Sequence, residues 1–319
     1  MYFDLGLISK YKKELMGFSA IGIILCHAPA TLYDLPSFAE KIMSLGQICV
    51  PIFFLLSGMG IFYSLDKNDN LIQWYKKRFI RLFIPYLILT IPYYIWFGYV
   101  NEDSILTTIL NISTINYWIN RRGLWFVCII IPCYIIAPFI YKLYLKNKNL
   151  TLFIFIFIFI ISFFLGDYKG AVIQASFFFL GMYLTPFIQK NKKINWLLTS
   201  SLAILLYVIC VKVSMLSFLP RLFFLLPLSI LIPIFFIDKI YYVKTFSFIG
   251  KISLESYLTN CFFGVILMQY GHFIIPEKLS TGNYIQYLLV VILGITVSYF
   301  THKLSNIILN KCTKTSLNA

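Results

Sequence analysis

The chain has 319 residues, of which 60% are hydrophobic, 19% aromatic and only 12% charged. A soluble domain carries roughly 25% charged residues, so a single aqueous core cannot hide this much apolar surface, and the composition fits an integral membrane protein. The net charge of +15 would suggest a nucleic-acid partner in a soluble protein, but the placement of the basic residues excludes that reading here.

About ten apolar stretches are long enough to span a bilayer: 16–33, 46–65, 82–99, 123–141, 150–166, 171–188, 195–213, 221–237, 247–271 and 283–302. A membrane barrel would alternate polar and apolar residues in segments of about ten. The run Phe153 to Ile160 alternates Phe and Ile, which are apolar on both parities, so it reads as a lipid-facing helix. The predicted class is an all-α polytopic bundle of about ten transmembrane helices, forming one domain over residues 1–319. Lys10, Lys12 and Lys13 precede the first span, and no small-residue cleavage pattern follows it, so no cleaved signal is expected.

Orientation follows from the basic residues. With the N-terminus in the cytoplasm, the inside segments hold Lys10, Lys12, Lys13; Lys67, Lys76, Lys77, Arg78, Arg81; Lys142, Lys146, Lys148; Lys190, Lys192, Lys193; Lys239, Lys244, Lys251; and Lys303, Lys311, Lys314. The outside segments hold only Lys41, Arg121, Arg122, Lys169, Arg221 and Lys278, and Lys212 lies near the outer end of a span. Both termini are therefore expected in the cytoplasm. The positive charge is then topology and attraction to anionic headgroups, with no nucleic-acid partner. The seven cysteines are scattered without a close Cys-x-x-Cys pair, so neither a disulfide framework nor a metal site is expected.

Three polar features interrupt the hydrocarbon. His27 lies in the first apolar run, where a charged group at the centre of a span costs about 2–3 kcal/mol or more. At 100° per residue, Ala20 and Met16 share its face, and Ser19, Gly22 and Cys26 form an adjacent strip of small residues that allows close helix approach. His27 is therefore expected to point into the bundle, either as a reacting imidazole or as a neutral ring bonded to a neighbouring helix. The second feature is the basic loop before the third span. Arg78 and Arg81 are one turn apart and, with Lys76 and Lys77, could grip phosphate oxygens or simply serve as positive-inside charge. The third is span nine, where Ser253, Glu255, Ser256, Thr259 and Asn260 cover roughly 160° of one side. Glu255 there could orient a histidine or relay a proton, or pair with Lys251 four residues earlier. His272 and His302 read as interfacial residues at opposite ends of the last two spans.

Together these motifs resemble the acyltransferase 3 family of bacterial membrane proteins. The resemblance rests on Glu14-Leu-Met-Gly-Phe-Ser-Ala-Ile-Gly-Ile-Ile-Leu-Cys-His27, on Val50-Pro-Ile-Phe-Phe-Leu-Leu-Ser-Gly58, and on Lys77-Arg-Phe-Ile-Arg81 followed by Ile84-Pro-Tyr86. It continues through Leu124-Trp-Phe126, Phe178-Phe-Leu-Gly-Met182 and Phe248-Ile-Gly-Lys-Ile-Ser-Leu-Glu-Ser-Tyr-Leu258. Two positions depart from the family pattern. Met16 stands where an arginine often precedes the histidine, with Lys13 about one turn further inward, and Asn260 stands where the family often has histidine.

The resemblance implies a bacterial cytoplasmic-membrane O-acyltransferase with an acyl-CoA donor, acetyl-CoA being the expected one, and no metal. The implied acceptor is an extracytoplasmic or cell-surface glycan, with glycan-assembly proteins as further partners. It implies catalytic roles for His27, as base or acyl carrier, and for Glu255. Donor binding would fall to Lys76, Lys77, Arg78 and Arg81, and acceptor binding to Arg121, Arg122, Ser57 and Asn260. For Arg121 and Arg122 the residues themselves also allow interfacial anchoring beside Tyr117 and Trp118. The rival reading is a transporter or flippase of a lipid-linked sugar, because polar residues inside a bundle also mark substrate pathways.

Overall fold

The computed structural model describes residues 2–28, 32, 35–68, 70–212, 224–239, 243–274 and 282–315. Arg221 and Lys278, together with the side chains of Lys239, His272, Cys312 and Lys314, lie outside the described residues. In chain order the elements are β1 (Tyr2–Asp4), α1 (Gly6–Lys10), α2 (Lys12–His27), α3 (Ser37–Ser44), α4 (Cys49–Leu65), α5 (Leu71–Val100), α6 (Ile105–Ile112) and α7 (Ile115–Asn120). There follow α8 (Trp125–Lys146), α9 (Lys148–Ser162), α10 (Lys169–Gln189), β2 (Lys193–Asn195), α11 (Trp196–Lys212), α12 (Leu226–Lys239), α13 (Val243–Lys251), α14 (Ser253–Ile274) and α15 (Gly282–Thr315).

A helix occupies each of the ten predicted stretches, so the all-helical membrane class holds. Among the described residues, five helices reach the length and apolarity of a membrane crossing: Ser37–Leu65, Leu71–Val100, Trp125–Lys146, Gly166–Gln189 and Tyr284–Lys311. The Phe/Ile helix α9 leaves Phe153, Phe157 and Ile160 exposed, as a lipid-facing helix should. One departure from the all-helical reading is a two-stranded ribbon. In it β1 pairs antiparallel with β2, with Tyr2 opposite Asn195 and Asp4 opposite Lys193. Leu5 extends the ribbon by donating to the Lys192 carbonyl at 3.0 Å.

Three expected boundaries move. The basic segment before the third span is no loop but the first turns of α5. The Asn70 side chain accepts from the Gln73 amide at 3.0 Å and starts the helix there. Lys and Arg are good helix formers, so the helix continues beyond its apolar part. Span nine is two helices, α13 and α14, with residue 252 between them. The first span ends at His27 because Ala28 precedes Pro29, whose ring disfavours helical geometry in the residue before it.

The chain divides into two compact units. The first comprises Met1–Cys26, Lys41–Asp69 and Ile129–Lys251. Its centre is α4 packed on α10, with Ile52, Phe54, Leu56, Met59, Phe178 and Met182 fully buried. The two helices meet backbone to backbone. A Cβ at Gly58 would run into the carbonyl oxygen of Phe178, and one at Gly181 into that of Leu55. The Ser-Gly of one sequence motif and the Gly-Met of another are thus two halves of one helix crossing. In the same unit Gly17 of α2 and Gly250 of α13 meet the carbonyls of Phe246 and Lys13 in the same way.

The second unit comprises His27–Glu40, Asn70–Cys128 and Ile252–Ala319. Here α14 packs on α15, and both pack on α5. Tyr93 stacks on Phe262 with centroids 3.9 Å apart.

Candidate functional site

The second unit contains a polar seam inside an otherwise apolar packing. On α14, Ser253, Glu255, Ser256, Thr259 and Asn260 are all buried, so the whole predicted arc faces inward. On α15 the answering stripe is Ser298, Thr301, His302 and Ser305, at the three- and four-residue spacing that aligns side chains on one helical face. Ser298, Thr301 and Ser305 are buried, while His302 keeps 32% of its side chain exposed.

The two stripes bond to each other in antiparallel register. His302 Nδ1 lies 2.9 Å from Glu255 Oε1. One turn further along, Thr259 Oγ1 is 2.9 Å from Ser298 Oγ and donates to the Gly294 carbonyl at 3.2 Å. Ser298 Oγ also donates to Gly294 at 2.6 Å. Near these bonds the buried Ser256 Oγ, Asn260 Oδ1 and Ser305 Oγ have no hydrogen-bond partner. The seam therefore has unused polar capacity.

Glu255 sits in the first turn of α14, where the free backbone N–H groups favour a carboxylate. Of the two partners open in sequence, the structure selects a histidine. Lys251 lies on the exposed end of α13, whereas Glu255 takes His302. With Glu255 ionised, Nδ1–H donates to Oε1 and Nε2 becomes the basic nitrogen of the ring. A carboxylate that fixes an imidazole's tautomer and orientation is the support a general base needs. His302 thus corrects the reading of that residue as merely interfacial. The signal was present in sequence: position 302 falls on the same helical stripe as Ser298 and Ser305.

The remaining candidates lie on other elements. His27 is the last residue of α2 and is exposed, which corrects the expectation of a ring pointing into the bundle. Lys13, one candidate for the missing arginine's charge, is also exposed. Lys12 instead lays its ammonium against Gly60, where a Cβ would collide with Nζ. Ser57 is half-buried on α4, in the first unit. On α5, Lys76, Lys77 and Arg81 are exposed and Arg78 is half-buried. A stacked ladder of Tyr75, Phe79 and Phe83 runs alongside, with centroid spacings of 6.0 and 5.7 Å. Arg121 and Arg122 are exposed just before α8. Arg121 has a left-handed backbone, φ 57°, and Arg122 lies 3.6 Å from Asp103. The structure thus brings Glu255 and Asn260 into one seam and adds His302.

A bundle of apolar helices with a part-buried carboxylate–imidazole pair defines a multi-pass membrane protein that keeps ionisable groups within its helix packing. The chain belongs to the acyltransferase 3 family: the family model, described as an acyltransferase domain, matches residues 15–303. It is accordingly a membrane acyltransferase, transferring groups other than aminoacyl groups. No curated protein and no solved structure matches the chain.

Proposed function

We propose that the protein moves an acyl group, with acetyl the expected one, from a cytoplasmic acyl-CoA to a hydroxyl of an extracytoplasmic or cell-surface glycan. In the reaction the thioester C–S bond breaks and an ester C–O bond forms. The hydroxyl proton must end on the coenzyme sulfur. On α5, Lys77 and Arg78 lie four and three residues before Arg81, spacings that let their charges converge on the donor's phosphates, and Lys76 adds a further positive charge on the neighbouring face. His27, which ends α2 on the side assigned outward by the basic residues, is the candidate base on the acceptor or the acyl carrier. Glu255 and His302, toward the end assigned inward, serve as the proton relay for the departing thiol. Arg121, Arg122, Ser57 and Asn260 are the acceptor-side candidates.

The observation that supports the reading most is the part-buried Glu255–His302 pair, 2.9 Å apart, inside a chain matched almost end to end by an acyltransferase domain. The test is mass spectrometry of surface glycans from bacteria carrying the intact gene, a deletion, His27→Ala or His302→Ala at matched protein levels. Loss of an acyl mass is expected in all three altered strains. If the deletion leaves the glycan acylated but absent from the surface, a flippase replaces this reading. Loss in the deletion alone keeps the enzyme and removes both histidines from its chemistry.

A further inference from the structure

The segment between α5 and α8 reads from sequence as an extracytoplasmic loop, yet its fold is inside out for a loop in water. It begins close to the end of α5, with the Asp103 amide donating to the Gly98 carbonyl at 2.9 Å. Ser104 then caps α6, accepting from the Thr107 amide at 3.1 Å. The helix does not lead away from α5. Thr108 packs against Gly98, and the Ile112 carbonyl accepts from the Tyr86 hydroxyl at 3.0 Å. Tyr86 precedes Gly98 by about 18 Å of helix, at 1.5 Å per residue, so α6 runs back along α5 toward its middle. Thr114 reverses the chain with a left-handed backbone, φ 68°, and its carbonyl meets Cys128 Sγ of α8 at 3.6 Å. Then α7 returns, and Arg121 makes a second left-handed turn.

The side chains of this hairpin have inverted polarity. Two of its three amides are inside: Asn111 and Asn116 are 3% and 1% exposed, while Asn120, beside the second turn, is exposed. Asn120 Nδ2 donates to Asn116 Oδ1 at 2.7 Å, and Asn116 Nδ2 donates to Asn111 Oδ1 at 2.6 Å. Most of its large apolar side chains are outside: Ile105, Leu106, Ile109, Ile115, Trp118 and Ile119 are exposed, Ile105 at 82%, while Leu110 and Ile112 are half-buried and Tyr117 is buried. In water this arrangement would bury amides and hydrate hydrocarbon, which is unfavourable on both counts. Where the surroundings are hydrocarbon it is the favourable arrangement, because polar groups must then be satisfied internally. The chain's connectivity agrees, since the hairpin joins two membrane-crossing helices.

We propose that residues 104–122 form a re-entrant hairpin seated in the outer leaflet, with lipid acyl chains as the partner of its apolar face. Arg121 and Arg122, at the end where the hairpin leaves the bilayer, lie at the level of the headgroup phosphates. The inference does not depend on the transferase reading.

The test uses the purified full-length protein reconstituted alone into phosphatidylethanolamine–phosphatidylglycerol vesicles. N-ethylmaleimide reacts with thiolate and so reports water at the labelled site. Ile109→Cys and Ile119→Cys are expected to label at least tenfold more slowly than Glu102→Cys at the exposed turn. Rates are corrected for the parent protein and normalised to labelling in detergent denaturant. In a second arm, brominated acyl chains should quench a fluorescence component that Trp118→Phe removes. Labelling of the two isoleucine positions as fast as Glu102→Cys would overturn the proposal, the face then being wet or reserved for a protein partner. Slow labelling without Trp118 quenching would overturn it equally, because self-association would then be covering the face.

Discussion

Two helix pairs in this protein solve the same packing problem differently. In the first unit α4 and α10 approach until backbone touches backbone, with Gly58 and Gly181 each facing the other helix's carbonyl. In the second unit α14 and α15 are held by side-chain bonds between two polar stripes. Lipid offers no hydrophobic drive for helices to associate, which leaves close packing and hydrogen bonding as the available means. The glycine crossing leaves no room for anything but helix. The polar seam keeps ionisable groups, an exposed part of His302 and unpaired hydroxyls. The second arrangement keeps groups capable of chemistry, whereas the first closes on backbone contact.

The comparison can be broken most sharply at His302. His302→Ala should lower acyl transfer by about 10²- to 10⁴-fold, the usual contribution of a positioned acid or base, with protein yield and thermal unfolding in detergent little changed. Glu255→Gln keeps an oxygen to accept from Nδ1–H but removes the charge, so it should lose less. Equal losses of activity and of melting temperature in both variants would make the pair structural.

Next in size is Gly58→Ala. Forcing a methyl against the Phe178 carbonyl should cost about 1–3 kcal/mol, read as a lower melting temperature with the activity of the surviving fraction intact. Gly181→Ala should behave alike. The double variant should cost less than the sum, because both residues belong to one contact. A smaller loss, about 1 kcal/mol of helix stability, is expected for Asn70→Ala, which removes the cap of α5. Fraying there should raise the donor KM with kcat unchanged, if the basic first turns of α5 hold the donor. The smallest effect is that of Thr259→Val, about 0.6 kcal/mol, typical of a hydrogen bond between membrane helices. A several-fold larger loss in thermal unfolding would mean that the seam responds as a unit rather than bond by bond.

The apolar stretches were legible because a bilayer demands long runs of hydrocarbon, and a helix lies in each of them. What periodicity did not convey was where helices end. The basic residues before the third span carry no apolar signal, yet Asn70 caps them into α5. Span nine reads as continuous, yet it is divided at residue 252. The polar arc of α14 was visible because polar residues are rare at that depth. For its partner the stripe of Ser298, His302 and Ser305 was visible too, but choosing between Lys251 and that histidine requires knowing which helices meet. The inward orientation of His27 was over-read: a neighbouring strip of small residues permits close helix approach without turning the ring itself into the contact. The re-entrant hairpin escaped notice for the opposite reason. Its helices are short, and its exposed isoleucines look ordinary until the buried asparagines are placed opposite them.

The small ribbon has a consequence for biosynthesis. Strand β1 leaves the ribosome well before its partner β2, which follows only at Lys193–Asn195. At roughly 5–20 residues per second, the gap between them is on the order of 10–40 seconds. For that interval the N-terminal strand has no partner to pair with, while the intervening helices are threaded into the bilayer. Pairing of Tyr2 with Asn195 therefore acts as a latch that closes only after every helix between the two strands has been made.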